Sequence, residues 1–183
     1  MLNQKASQAE KIYKAGNVSL HRLTSAAVDE GYLQWINDPE INGFLESRFN
    51  VWSRDTLVDY IDNINRGGRE WLFGVFHDDV YIGNIKLGPI EHHHGRASVG
   101  IILGNQAYHG RGIGTIAVNL IKEFAFQEMK IRKLTAGCYA ENMASLSLFK
   151  KSGFFVEAKL ERHVIWQNKE CDVILMGCFR SDN

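Results

Sequence analysis

The chain has 183 residues, 45% of them hydrophobic and 23% charged, a composition that suits one globular domain and excludes long disordered or fibrous stretches. Lysine plus arginine (21) balance aspartate plus glutamate (21), so the formal charge lacks the positive field on which non-specific binding to nucleic acid or anionic membranes relies. No apolar run approaches the roughly 18 residues of a membrane span, and Cys138, Cys171 and Cys178 match no zinc spacing.

A cytoplasmic protein in a reducing compartment is therefore expected, with no metal and no nucleic-acid or membrane partner. Residues 1–17, with Lys5, Glu10, Lys11 and Lys14, read as a polar leader, and 18–183 as a single domain. Val18 to Leu23 alternates like a strand. Ser25 predicts the N-cap of a helix running to Trp35 and stopped at Asn37-Asp38-Pro39, and Ser53 that of a second helix. The second carries Leu57, Tyr60, Ile61 and Ile64 at helical spacing and stops at Gly67-Gly68.

Trp71–Phe76 and Val80–Leu87 predict a hairpin turned at His77-Asp78-Asp79, with Ala97–Leu103 as the next strand. Gly104 to His109 then connects to a cluster, Gly110-Arg111-Gly112-Ile113-Gly114, at the head of an amphipathic helix. Ile113, Ala117, Leu120, Ile121 and Phe124 form its apolar stripe. Lys133–Tyr139 is a strand again, and a strand–helix–strand unit of this length favours parallel pairing. A short helix to Lys151 and two strands, 154–166 and 171–179, close the chain. The class is α/β, a mixed and mostly antiparallel sheet around one parallel crossover with flanking helices.

The glycine cluster is the most informative chemistry. Glycines at alternate positions let backbone N–H groups turn toward a ligand, and the helix start adds its positive dipole end. Together they suit a pyrophosphate, with Arg111 adding charge; an ordinary tight turn is the competing reading. The spacing excludes a P-loop, which needs Gly-Lys-Ser/Thr, and the dinucleotide fingerprint, whose third glycine comes one residue later.

Taken with Asn142-Met143-Ala144-Ser145-Leu146-Ser147-Leu148-Phe149-Lys150-Lys151-Ser152-Gly153-Phe154, the stretch His109 to Gly114 resembles the GNAT acetyltransferase superfamily. The segments Trp35 to Glu40 and Gln167 to Met176 are similar to its ribosomal-protein-alanine and spermidine acetyltransferase branch. The resemblance implies acetyl-CoA as co-substrate, a central splayed pair of parallel strands, and direct acetyl transfer to a primary amine. It implies that the backbone of Ile102 and Leu103 binds the pantetheine arm, and that His109, Gly110, Arg111, Gly112, Ile113, Gly114 and Thr115 hold the pyrophosphate. Asn142, Ser145 and Phe149 would contact the cofactor from the other side, and the Ile102 backbone would face the oxyanion.

Two family positions depart from the pattern. Phe149 stands where many relatives carry a tyrosine acid, and Ser98 where some carry a glutamate base. Glu46, between the first two helices where relatives shape the acceptor pocket, is the remaining candidate for attracting or deprotonating an amine; a local ion pair is the competing reading. The acceptors implied are a protein N-terminus or an amino sugar, with a polyamine as a third option. A CoA-binding sensor that has lost catalysis is the alternative function. The closing hairpin leaves a homodimer open. His92-His93-His94 reads as a solvated turn, because adjacent side chains on an extended segment diverge, and Cys138 as a buried spectator.

Overall fold

The computed structural model describes residues 12–181. Eight strands form its single sheet: β1 (Tyr13–Ala15), β2 (Val18–Arg22), β3 (Trp71–His77), β4 (Val80–Glu91), β5 (Arg96–Leu103), β6 (Lys133–Tyr139), β7 (Phe155–Trp166) and β8 (Lys169–Phe179). Their order is β1-β2-β3-β4-β5-β6-β8-β7, and every neighbouring pair is antiparallel except β5 and β6. Asp78 and Asp79 turn the β3–β4 hairpin with φ of 48° and 62°, the left-handed pair that matches strand twist in a two-residue turn.

β1 lies inside the stretch that reads as a polar leader. Tyr13 is the reason: it is buried, edge-on to Phe73 and tilted against Phe124, so residues 13–15 pair with β2 as part of the sheet. Residues 1–11 of that leader lie outside the described residues.

The helices divide between the two faces. On one lie α1 (Glu30–Asn37) and α3 (Arg54–Gly67), with a four-residue α2 (Pro39–Asn42) and a 3₁₀ turn (Glu46–Phe49) between them. Ser53 caps α3 as expected: its Oγ accepts from Thr56 N at 3.2 Å while Ser53 N donates to Thr56 Oγ1 at 2.9 Å. Ser25 does not cap α1. It opens a 3₁₀ turn (Ser25–Ala27), and Asp29, whose Oδ1 accepts from Tyr32 N at 2.7 Å, takes the capping place. A carboxylate there also complements the helix dipole, which a hydroxyl does not.

On the other face lie α4 (Ile113–Glu123), continued by a π-helical turn (Phe124–Glu128), and α5 (Met143–Lys151). The predicted stripe of α4 is buried in the larger core, together with Leu134, Ala136 and Cys138 of β6 and Ala97 and Val99 of β5. At roughly 1.5–3 kcal/mol for each fully buried large aliphatic or aromatic side chain, this layer is what holds α4 against the crossover. Tyr32, Trp35, Leu57, Ile61 and Ile64 pack with Leu23 and Leu72 in a second core on the α1 and α3 face.

Candidate functional site

The glycines before α4 serve two purposes. Gly110 and Gly112 have φ of +73° and +78°, and a Cβ on either would meet nothing within 4 Å, so their outer side is open. Gly114 sits in the first helical turn, where a Cβ would stand 2.4 Å from Leu148 Cδ1; its bareness lets α5 pack against α4. The first bond into the helix runs from Ile116 N to Gly112 O at 3.2 Å. Among the described residues no acceptor reaches the N–H groups of Ile113, Gly114 or Thr115. These unpaired first-turn donors at the positive dipole end are built for an anion. Arg111 is exposed beside them, its guanidinium 5.4 Å from the Tyr108 ring centre.

Next to this loop the sheet opens. β5 and β6 are paired only at Arg96–Lys133, Ala97–Leu134 and Ser98–Thr135, and beyond that rung they part. Which peptide groups face the gap follows from three bonds. Gly104 N donates to Ile82 O at 2.9 Å, Lys133 N to Gly95 O at 3.3 Å, and Ala140 N to Asp172 O at 2.9 Å. Peptide direction alternates along a strand. Gly100 and Ile102 therefore turn toward β4, whereas Val99, Ile101 and Leu103 turn toward the gap. Gly137 and Tyr139 face it from β6.

This corrects the expected cofactor-facing and oxyanion-facing backbone by one residue: Ile102 is committed to Asn84 of β4, and Ile101 beside it carries the bare edge. The Leu103 carbonyl is taken by the His109 imidazole at 2.8 Å, which requires the proton on Nε2 because a carbonyl only accepts. Its N–H still faces the gap.

The second block supplies less than expected. Asn142 Oδ1 accepts from Ser145 N at 3.0 Å and so caps α5, which leaves only its Nδ2 end for a ligand. Phe149 is 3% exposed and packs on Phe154 with ring centres 5.0 Å apart. Its ring belongs to the core and has no surface to offer a cofactor, which corrects its place among the cofactor contacts.

At the far end of β6 the expected Glu46 meets a residue that sequence reasoning missed, Tyr139. The Tyr139 hydroxyl donates to Glu46 Oε1 and accepts from Arg48 Nη1 at 2.8 Å. Arg48 is itself fixed by the Leu45 and Ile165 carbonyls, both at 3.1 Å. Burial, then the Glu46 carboxylate, raise the Tyr139 phenol above its ordinary range against the pull of Arg48. The three residues line a cavity of about 470 Å³ with Ile165 and Asn168. The signal was available: a tyrosine at an odd position of β6 lies on the face opposite Leu134, Ala136 and Cys138.

A second cavity of about 420 Å³ lies beside Trp35 and Tyr81, with Asp38 and Glu40 in its lining. Ser98, in the family's base position, lies with its Oγ 3.2 Å from Thr135 Oγ1 at the last paired rung. Cys138 is buried, and burial pushes its thiol up to about 11, away from any thiolate chemistry. His92, His93 and His94 sit exposed in the β4–β5 turn. Among the described residues no group of three or more His, Cys, Asp or Glu is placed to hold a metal, and no helix is long and apolar enough to cross a membrane.

The chain resembles known proteins in family, sequence and fold. The acetyltransferase (GNAT) domain family matches residues 17–155. The chain is 30% identical over 133 residues, 67% of its length and 70% of the other's, to the Bacillus subtilis protein named "Probable N-acetyltransferase YjcK". It is 24% identical over 144 residues, 77% of its length and 87% of the other's, to the acetyltransferase PseH of Campylobacter jejuni. Among solved structures it shares its fold with RimL, a ribosomal alpha-N-protein acetyltransferase solved with coenzyme A (TM-score 0.81, 16% identity, 92% and 98% of the two chains). It likewise shares it with the Vibrio cholerae spermidine N-acetyltransferase solved with CoA and spermine (TM-score 0.76, 21% identity, 89% and 95%).

Proposed function

Because this chain belongs to the GNAT acetyltransferase family, we propose that it moves the acetyl group of acetyl-CoA directly onto a primary amine in the gap between β5 and β6. One observation carries the reading: a helix N-terminus with uncapped donors stands at the mouth of a split between two parallel strands. The open loop at Gly110 and Gly112 and the free N–H groups of Ile113 to Thr115 suit a pyrophosphate. The bare edge of β5 suits the two amides of a pantetheine arm.

The thioester supplies an electrophilic carbonyl carbon. The amine nitrogen bonds to it, the C–S bond breaks, and a tetrahedral oxyanion lies between the two events. Gap-facing N–H groups of β5 are the donors available to that oxyanion. Glu46, fixed by the Tyr139 hydroxyl, is the group available to draw an ammonium into the cavity and to take its proton through water. With Phe149 in the core, the departing thiolate takes its proton from water or from Tyr139, and much of the rate comes from positioning.

For the acceptor, the cavity at Tyr139 favours a protein N-terminus or an amino sugar, because Glu46 is offset there by Arg48 and no net negative charge is left for a polycation. A polyamine is favoured by a different observation, the second cavity, whose lining holds Asp38 and Glu40 and no basic residue. The exposed Phe155, Val156 and Phe179 of the closing hairpin suit the homodimer that the resemblance leaves open.

Calorimetry with CoA, followed by a thiol-release screen against peptides, amino sugars and polyamines, tests all of this. CoA binding with thiol release is the expected result. No CoA binding ends the reading, and binding without release from any amine favours the sensor.

A further inference from the structure

Strand interiors are poor places for glycine, which loses the most backbone freedom there and packs nothing. For several strand glycines the fold itself supplies the reason. A Cβ at Gly83 would stand 2.3 Å from Ile102 O, one at Gly74 would stand 2.9 Å from the Phe76 ring, and one at Gly177 would stand 2.5 Å from the Glu157 carboxyl carbon. Gly100 of β5 and Gly137 of β6 are different. Neither has a positive φ. A Cβ at Gly100 would meet nothing within 4 Å, and one at Gly137 only methyl groups of Leu175 and Val173, at 3.7 and 3.9 Å. Both residues are exposed, although their strands lie inside the sheet.

The two also belong together. Continuing the register Ser98–Thr135 by two residues sets Gly100 opposite Gly137 across the gap. By strand alternation both lie on the face of Ile102 and Tyr139, away from α4. The fold requires glycine at neither position, so the missing side chains leave room for something outside the chain.

We propose that Gly100 and Gly137 form the bare floor of the acceptor path, over which the amine reaches the thioester, and that they set which acceptors pass. The inference rests on the transferase reading and adds a substrate class to it. A thin polymethylene chain needs no such floor. An amine carried on a substituted carbon does, whether on a sugar ring or on the first residue of a peptide. Gly100 and Gly137 thus select for bulk beside the nitrogen.

The test uses Gly100→Val and Gly137→Val, each beside its alanine counterpart, in the full chain. Thiol release from acetyl-CoA is followed with an alanyl peptide, glucosamine and spermidine, and melting and CoA calorimetry are run on every protein. We expect melting temperatures equal to or above wild type, because a side chain that fits removes freedom from the unfolded chain. CoA affinity stays within about twofold. Against the peptide or glucosamine, kcat/KM falls at least about tenfold for valine and less for alanine, the scale of extra methyl groups in a filled site.

Wild-type kcat/KM in both valine variants overturns the assignment. So does turnover of spermidine alone by the wild type, or a melting temperature lowered in both alanine variants, which would show that the fold needs these glycines. If the wild type releases no thiol with any of the three amines, the transferase reading fails first and takes this assignment with it.

Discussion

The two ends of the cleft are made of different material. The loop end is peptide: the N–H groups of Ile113, Gly114 and Thr115, left open where Gly110 and Gly112 turn the chain, and the edge of β5 bared where β6 parts from it. The other end is side chain: Glu46, Arg48 and Tyr139, with Trp166 on the Gly43 carbonyl, joined across 91 to 123 residues of sequence. Backbone donors present the same chemistry whatever residues flank them, so the loop end suits a constant ligand. Side chains brought from distant segments can change one at a time, so the Tyr139 end suits whatever acceptor distinguishes this chain from its relatives.

The hardest blow to this contrast is Gly112→Val. A β-branched residue is strained at φ +78° by more than the roughly 1–2 kcal/mol of an ordinary left-handed residue. Relieving that strain turns the first-turn N–H groups away. Losing charge-assisted hydrogen bonds of roughly 1.5–3 kcal/mol each lowers CoA affinity at least about a hundredfold. Calorimetry measures it directly. Affinity kept within about threefold would mean that the loop is not the phosphate site and that the backbone end has been misplaced.

A smaller effect, of another kind, is expected from Tyr139→Phe and Glu46→Gln. Both leave the peptide donors untouched, so CoA affinity stays at wild type while kcat falls about 10- to 100-fold, the lower range of acid–base contributions. In the wild type the Tyr139 phenol is held above its ordinary value of 10.0, chiefly by burial. Its ionisation therefore adds no alkaline limb to the kcat profile below about pH 10. Parallel losses in CoA affinity and kcat would erase the distinction between the two ends.

The same contrast explains what could be read in advance. Each strand and helix, the glycine loop and the Ser53 cap are local, written within one element or turn where spacing and cap chemistry act, and the parallel crossover follows from the length of the strand–helix–strand unit between Arg96 and Tyr139. The failures are not local. Ser25 and Asp29 are both good caps; the helix dipole favours the carboxylate, and the packing of Tyr32 and Trp35 on the sheet fixes where the helix starts. Ile102 and Ile101 read alike, and the bonds from Gly104 to Ile82 and from Lys133 to Gly95 fix which peptide faces the gap. Tyr139 gains its partners from Glu46 and Arg48, in a turn that no periodicity connects to β6.

Phe149→Tyr gives the smallest change and draws the boundary most finely. The family pattern puts a tyrosine here, within the block that the resemblance assigns to the cofactor. In this chain the ring is 3% exposed, against Phe154 and the α4 core. A hydroxyl added there is desolvated, which costs about 1–3 kcal/mol. At the roughly 2–4 °C per kcal/mol typical of chains near this size, melting falls by about 2–12 °C. The acetyl-transfer rate does not rise, because a proton donor sealed in the core cannot reach a thiolate in the gap. The opposite pair of results, unchanged melting with a faster rate, would place the para position of the ring at the cleft. The loop end would then recover a side-chain acid, and the division of the cleft into a peptide end and a side-chain end would no longer hold.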